Sequence, residues 1–154
     1  MDAEELDVLV RAAELHDVGK IAIPDEVLHK GGELSEEEWA LMRKHTLIGQ
    51  RVLDAAPALG EVAALVRSTH ERWDGEGYPD GRAGREIPLG SRVIHICDAY
   101  NAMTEGRPYR PALSSEEALE ELRRGAGTEF DPELIATFAD RVVPALEQTA
   151  KTSA

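Results

Sequence analysis

The chain of 154 residues holds 30 acidic and 17 basic side chains, a net charge of −13, with 42% apolar and 31% charged residues. That length supports one domain burying roughly 70% of its unfolded surface. The acidic balance excludes a broad nucleic-acid surface, which needs a continuous basic face, so an anionic ligand must be met by a few local cations.

The first apolar pattern sets Leu6, Leu9, Val10 and Ala13 on one helical face with His16 continuing it, and predicts a helix ending near Val18 and Gly19. A short connector leads to one or two helical turns over residues 25–29, stopped by Gly31 and Gly32. Ser35 followed by Glu38 is a capping-box signature, which predicts one long helix over about 36–55 with Leu41, His45, Ile48 and Val52 on a shared face. A third helix over about 61–70 aligns Val62, Val66 and His70.

A glycine-rich loop runs to Leu89, and SRVIHICDAYNAMT then reads as a buried helix with Ile94, Asp98 and Asn101 along one face. Ser114 with Glu117 caps a further helix, and Asp131-Pro132 opens the last, with Asp at the cap and Pro at the first helical position. Helical periodicity dominates and strand alternation is missing, so the expected class is all-α, a helical bundle. One domain is expected over residues 1–145, followed by a tail over 146–154 that frays from Ala150 onward.

No apolar run reaches bilayer length, and the acidic start MDAEELDVLV has no secretory-signal pattern. The single cysteine, Cys97, has no internal disulfide partner and is expected as a small buried apolar side chain. A cytoplasmic location is the expectation.

His16, Asp17, His45, His70 and Asp98 each fall on or beside a face that should be buried. A buried carboxylate without a cationic partner costs several kcal/mol or becomes neutral, so Asp98 in a nearly apolar helix asks for a cation beside it. One inward histidine is usually a hydrogen-bonded core residue, but five such groups on four helices favour a metal site, which helical bundles build from inward His and carboxylate side chains. The donor set suits iron or manganese at least as well as zinc. A pair of ions roughly 3.5–4 Å apart can hold a hydroxide nucleophile and stabilise an in-line phosphoryl displacement. Lys20, Arg107 and Arg110 supply local cations for phosphate, guanidinium groups binding it bidentately.

The stretches HDVGKIAIPDEVL, KHTLIGQRVL, HERWDGEGYPDG and CDAYNAMTEGRPYR, in this order, resemble the bacterial HD-GYP domain, a branch of the HD superfamily of metal-dependent phosphohydrolases. The resemblance runs from about Leu6 to about Val142 and implies an all-helical phosphodiesterase of cyclic di-GMP. It places metal-ligand roles on His16, Asp17, His45, His70 and Asp98, with Asp17 bridging two divalent ions. Iron or manganese is expected first, with zinc, magnesium, nickel and cobalt left open. Lys20 is implied to face the scissile phosphate and to assist the leaving oxygen. Arg107 and Arg110 are implied to hold the dinucleotide, and Tyr78 to lie in the signature loop beside it. The same loop, Gly77-Tyr78-Pro79, is implied as a contact for a diguanylate-cyclase (GGDEF) domain, and a homodimer is a further expected assembly. Thr69 stands where many members carry a second histidine, so no third ion is expected. The family's upstream helix with another histidine precedes the span matched, so the domain reads as short at its N-terminus. Two alternatives stay open: a catalytically degenerate regulatory module that binds a protein partner, and a phosphohydrolase of another nucleotide.

Overall fold

The computed structural model describes residues 1–105 and 111–152. Helix α1 (Ala3–Leu15) starts earlier than its apolar pattern suggests. Asp2 accepts from the amides of Glu4 and Glu5 while Glu5 accepts from the Asp2 amide, a capping box worth about 1 kcal/mol. Its inward residues are Val8, Leu9, Ala12 and Leu15, whereas Leu6, Val10 and Ala13 are exposed. Val10 and Ala13 border an open groove of about 330 Å³ that also touches Cys97 and Asn101, so the apolar stripe read from the sequence is rotated away from the core. Cys97 itself is exposed, against its expected burial.

A 3₁₀ turn, Val18–Ala22, follows α1 and leads into the short α2 (Asp25–Leu28). The long helix expected over 36–55 is two helices, α3 (Glu36–Met42) and α4 (His45–Asp54). At the junction the Lys44 amide donates to the Leu41 carbonyl, tightening the turn. The carbonyls of Met42 and Arg43 are taken by the His45 ring and the Thr46 hydroxyl. Side chains thus replace the main-chain bonds that the break gives up. The break also turns Leu41 and Val52 outward and leaves His45, Thr46, Gly49 and Leu53 as the buried residues of α4.

Helix α5 (Gly60–Arg67) buries Val62, Ala63 and Val66, and it ends before His70. Helix α6 (Leu89–Thr104) is central. Ile94 packs in one core cluster with Ala12, Leu53, Val62, Ala63 and Val66, while Ile96 packs in a second with Leu122, Phe130, Ile135, Phe138 and Val143. Two residues apart on a helix means about 200° of rotation, so α6 feeds a core on each side and reads as apolar almost all round.

Helix α7 (Ser115–Arg124) has the expected Ser114/Glu117 box, and α8 (Pro132–Thr137) has Asp131 as its cap. A π-helical turn, Phe138–Val142, joins α8 to α9 (Val143–Thr152), whose helix continues into the stretch expected to fray. Among the described residues there is no strand, only a bridge pairing Ala126 with Phe130, so the all-α expectation holds.

Candidate metal centre and adjoining cleft

His16 is the C-cap of α1 and Asp17 the residue after it. The His16 Nδ1 lies 2.7 Å from the Ala13 carbonyl and the His45 Nδ1 lies 2.8 Å from the Met42 carbonyl. A carbonyl can only accept, so both Nδ1 atoms carry the proton and both Nε2 atoms present a lone pair. Backbone carbonyls orient metal-binding histidines in this way.

The Nε2 atoms converge on Asp17: its Oδ1 is 3.6 Å from His16 and 3.9 Å from His45. Asp98 Oδ1 lies 3.8 Å from His16 Nε2. Asp17, His45 and His70 each offer a donor atom within 4.8 Å of the others. Three of these donors, Asp17 Oδ1, His45 Nε2 and His70 Nε2, are buried with no hydrogen-bond partner. An orphaned buried polar atom costs roughly 1–3 kcal/mol, and three facing one another fit a divalent cation. Asp98 is 40% exposed, so its burial does not demand a cation as expected; its place in the group rests on its distance to His16.

Protonation favours the same reading. Burial first, then the neighbouring His45 and His95, push His70 down to about 3, and burial lowers His45 despite the opposing bond to Met42. Both rings are therefore neutral near pH 7. For Asp17 burial is the largest influence and acts upward, but the Lys20 hydrogen bond and the charges of His16, Lys20 and His45 outweigh it, so the carboxyl lies lower than usual. Lys20 Nζ sits 2.6 Å from Asp17 Oδ2, so this lysine holds one carboxylate oxygen and leaves Oδ1 facing the histidines.

Backbone contacts bring these segments together. A Cβ on Gly19 would stand 1.9 Å from the His45 carbonyl oxygen and 2.5 Å from the Gly49 amide nitrogen, so the 3₁₀ turn after Asp17 rests directly on α4. Gly77 does the same for the loop: a Cβ there would lie 2.2 Å from the Arg72 nitrogen and 2.6 Å from the His70 oxygen. The Tyr78 amide donates to the His70 carbonyl, and the Tyr78 ring stacks on the His70 ring at 5.2 Å and 11°. Burial pushes the Tyr78 phenol up to about 12, so it stays neutral.

Glu71 received no role from its spacing, yet it is 2% exposed and accepts from the amides of Asp80 at 2.7 Å and Arg82 at 3.0 Å. It pins the returning half of the loop. The bidentate Arg67–Asp80 pair adds a second tie, and the Thr69 hydroxyl donates to the Val66 carbonyl.

Beyond His70 and Tyr78 lies a cleft of about 340 Å³ lined also by Arg43, Arg72, His95 and Glu129. His95 was missed by sequence reasoning, although it lies three residues before Asp98 and so near the same helical face; its ring is 6.1 Å from that of His70. Arg43 was missed because two residues on one continuous helix differ by about 200°, which would set it opposite His45. The α3/α4 break removes that constraint. Arg107 and Arg110 lie outside the described residues.

A family model described as HD domain matches residues 1–134. The chain is 43% identical over 129 residues to a cyclic di-GMP phosphodiesterase of Thermotoga maritima, covering 82% of this chain and 35% of that protein. Over 133 residues it is 41% identical to the 3'3'-cGAMP-specific phosphodiesterase 2 of Vibrio cholerae serotype O1, covering 85% of this chain and 26% of that one. A crystal structure of a cyclic GMP-AMP specific phosphodiesterase of V. cholerae matches with a TM-score of 0.71 at 25% identity, over 92% of this chain and 39% of the other. The chain thus spans between 26% and 39% of the length of these three proteins.

Proposed function

Because the chain belongs to the HD-domain family, in its HD-GYP branch, we propose that it is a metal-dependent phosphodiesterase that hydrolyses cyclic di-GMP. The observation that carries the reading is the set of three orphaned donors, Asp17 Oδ1, His45 Nε2 and His70 Nε2, with His16 and Asp98 beside them. Relatives named for cyclic di-GMP and for 3'3'-cGAMP both resemble this chain, so a cyclic dinucleotide is the substrate class, and cyclic di-GMP the first choice within it.

His16, His45, His70, Asp17 and Asp98 would hold a pair of divalent ions, iron or manganese before others. Such ions supply an activated water and offset charge on the phosphodiester. The residues do the rest. Carbonyl bonds from Ala13 and Met42 fix two imidazole tautomers, and burial keeps His45 and His70 neutral. Lys20 orients Asp17 and would be the cation that steadies the leaving oxygen. Lys20 donates to Asp17 Oδ2, so the same lysine would tie the orientation of a metal-holding carboxylate to the charge of the bound phosphate. Tyr78 shields the outer face of His70 from water and borders the cleft, and Arg107 and Arg110 hold the dinucleotide.

A bacterial cytoplasmic setting goes with that substrate, and among the described residues no helix is long and apolar enough to cross a membrane. The Gly77-Tyr78-Pro79 loop is the proposed contact for a diguanylate-cyclase (GGDEF) domain, and a homodimer the proposed self-assembly.

The test combines elemental analysis of freshly purified protein with hydrolysis of cyclic di-GMP and 3'3'-cGAMP in parallel. Divalent metal with faster turnover of cyclic di-GMP is expected. Metal-loaded protein that leaves both substrates intact refutes the enzyme, and binding of a cyclase domain by such inactive protein would favour the regulatory module. Faster turnover of 3'3'-cGAMP would replace the substrate and keep the chemistry.

A further inference from the structure

We infer that Arg43 is a substrate-binding residue that takes the phosphate not being cleaved, so that the cyclic dinucleotide spans the Tyr78 ring with one phosphate at the histidine cluster and the other at Arg43. This rests on the cyclic-dinucleotide reading above.

Three observations carry it. Arg43 is exposed at the α3/α4 break, and its Cζ lies 5.6 Å from the Tyr78 ring centroid, at the mouth of the 340 Å³ cleft. The ring whose neighbourhood it shares is stacked on His70, a member of the proposed ligand set. Among the described residues, the other cations at the cluster and the cleft are engaged: Lys20 with Asp17, and Arg72 with Asp74 and Glu129. Among the described residues Arg43 has no carboxylate at ion-pair distance, in a chain of net charge −13.

An unpaired guanidinium on an acidic protein, resting near an aromatic ring beside a cleft, is a pre-oriented anion receptor. Its planar fork matches two phosphate oxygens, and the ring limits the freedom lost on binding. Position decides which phosphate it meets. Lys20 is bonded to Asp17 within the cluster, whereas Arg43 lies over the Tyr78 ring, which in turn stacks on His70. A cyclic dinucleotide carries two phosphates on opposite sides of its macrocycle, so one anchored at the cluster directs the second outward. Arg43 therefore contributes to binding in ground and transition state alike.

Kinetics of Arg43→Ala and Arg43→Lys on cyclic di-GMP, with thermal unfolding as the folding control, test the assignment. Arg43→Ala is expected to raise KM roughly tenfold with kcat within about twofold, and Arg43→Lys to recover part of the loss because it keeps the charge but not the fork. An unchanged KM in Arg43→Ala, or a fall in kcat at unchanged KM, overturns the role of Arg43 while leaving the phosphodiesterase reading intact. Wild-type protein that neither binds nor cleaves a cyclic dinucleotide overturns both.

Discussion

Glu71 offers the sharpest test of how the loop is held. Glu71→Ala removes the side chain that accepts from the Asp80 and Arg82 amides, at 2.7 and 3.0 Å. Hydrogen bonds to a charged group contribute roughly 1.5–3 kcal/mol each, so the two bonds set a ceiling of about 6 kcal/mol. Against this stands the desolvation of a carboxylate only 2% exposed, which the substitution relieves. The net expectation is a loss of about 3 kcal/mol, or about 6–12 °C in Tm for a domain of this size. Glu71→Gln keeps the shape and one acceptor oxygen but turns an amide N–H2 toward a backbone N–H, and should lose about 2 kcal/mol. Because the same loop carries Tyr78 onto His70, metal affinity should fall alongside stability. Urea unfolding monitored by the tryptophans, with metal titration of each variant, reads both quantities. A Glu71→Gln protein within about 0.5 kcal/mol of wild type and with unchanged metal affinity would show that the loop does not depend on this carboxylate.

Gly19→Ala should destabilise by about 3 kcal/mol or more, since its Cβ would meet backbone atoms of His45 that cannot step aside. Gly32→Ala, with nothing within 4 Å, is the matched control and should be nearly neutral in the same unfolding assay; equal effects would refute the packing argument. In metal-free protein, His70 titrates near 3 when folded and near 6.5 when unfolded. The unfolded chain therefore takes the proton first, so stability is full above about pH 6.5 and falls on acidification, by on the order of 3 kcal/mol at pH 4. A urea midpoint that stays constant between pH 7 and pH 4 would contradict this. Added divalent metal should raise stability by about 2.7 kcal/mol at one hundred times its Kd, and His70→Ala should abolish most of that gain in a thermal-shift titration.

Local signals made much of the fold legible. Ser35 with Glu38, Ser114 with Glu117, and Asp131 with Pro132 start their helices where the side-chain chemistry says they should. The α3/α4 break had no such signal. No glycine or proline stands at Arg43 or Lys44, and the bonds that make the break tolerable come from His45 and Thr46 side chains. The burial of α1 was misread because Leu6, Val10 and Ala13 form a stripe as regular as the one that is buried, and only packing against α5 and α6 selects between them. His16, Asp17, His45, His70 and Asp98 do come together, and they were singled out because metal-binding groups on inward faces are costly in any other role. Glu71 and Arg43 were not, because their positions depend on where a loop returns and where a helix breaks.

The site is set by main chain more than by side chains. Gly19 lets the segment after Asp17 touch the His45 carbonyl, and Gly77 lets the Tyr78 loop lie on the His70–Arg72 backbone. At both contacts two peptide units approach closer than any Cβ permits, so main-chain contact sets the spacing between the segments carrying Asp17 and His45 and seats the Tyr78 loop against His70. These contacts hold the backbone segments that carry Asp17 Oδ1, His45 Nε2 and His70 Nε2, which are buried and unpaired. It follows that alanine at either glycine should weaken metal binding by more than its effect on global stability accounts for, whereas removal of an outlying tie such as the Arg67–Asp80 pair should change the two in proportion.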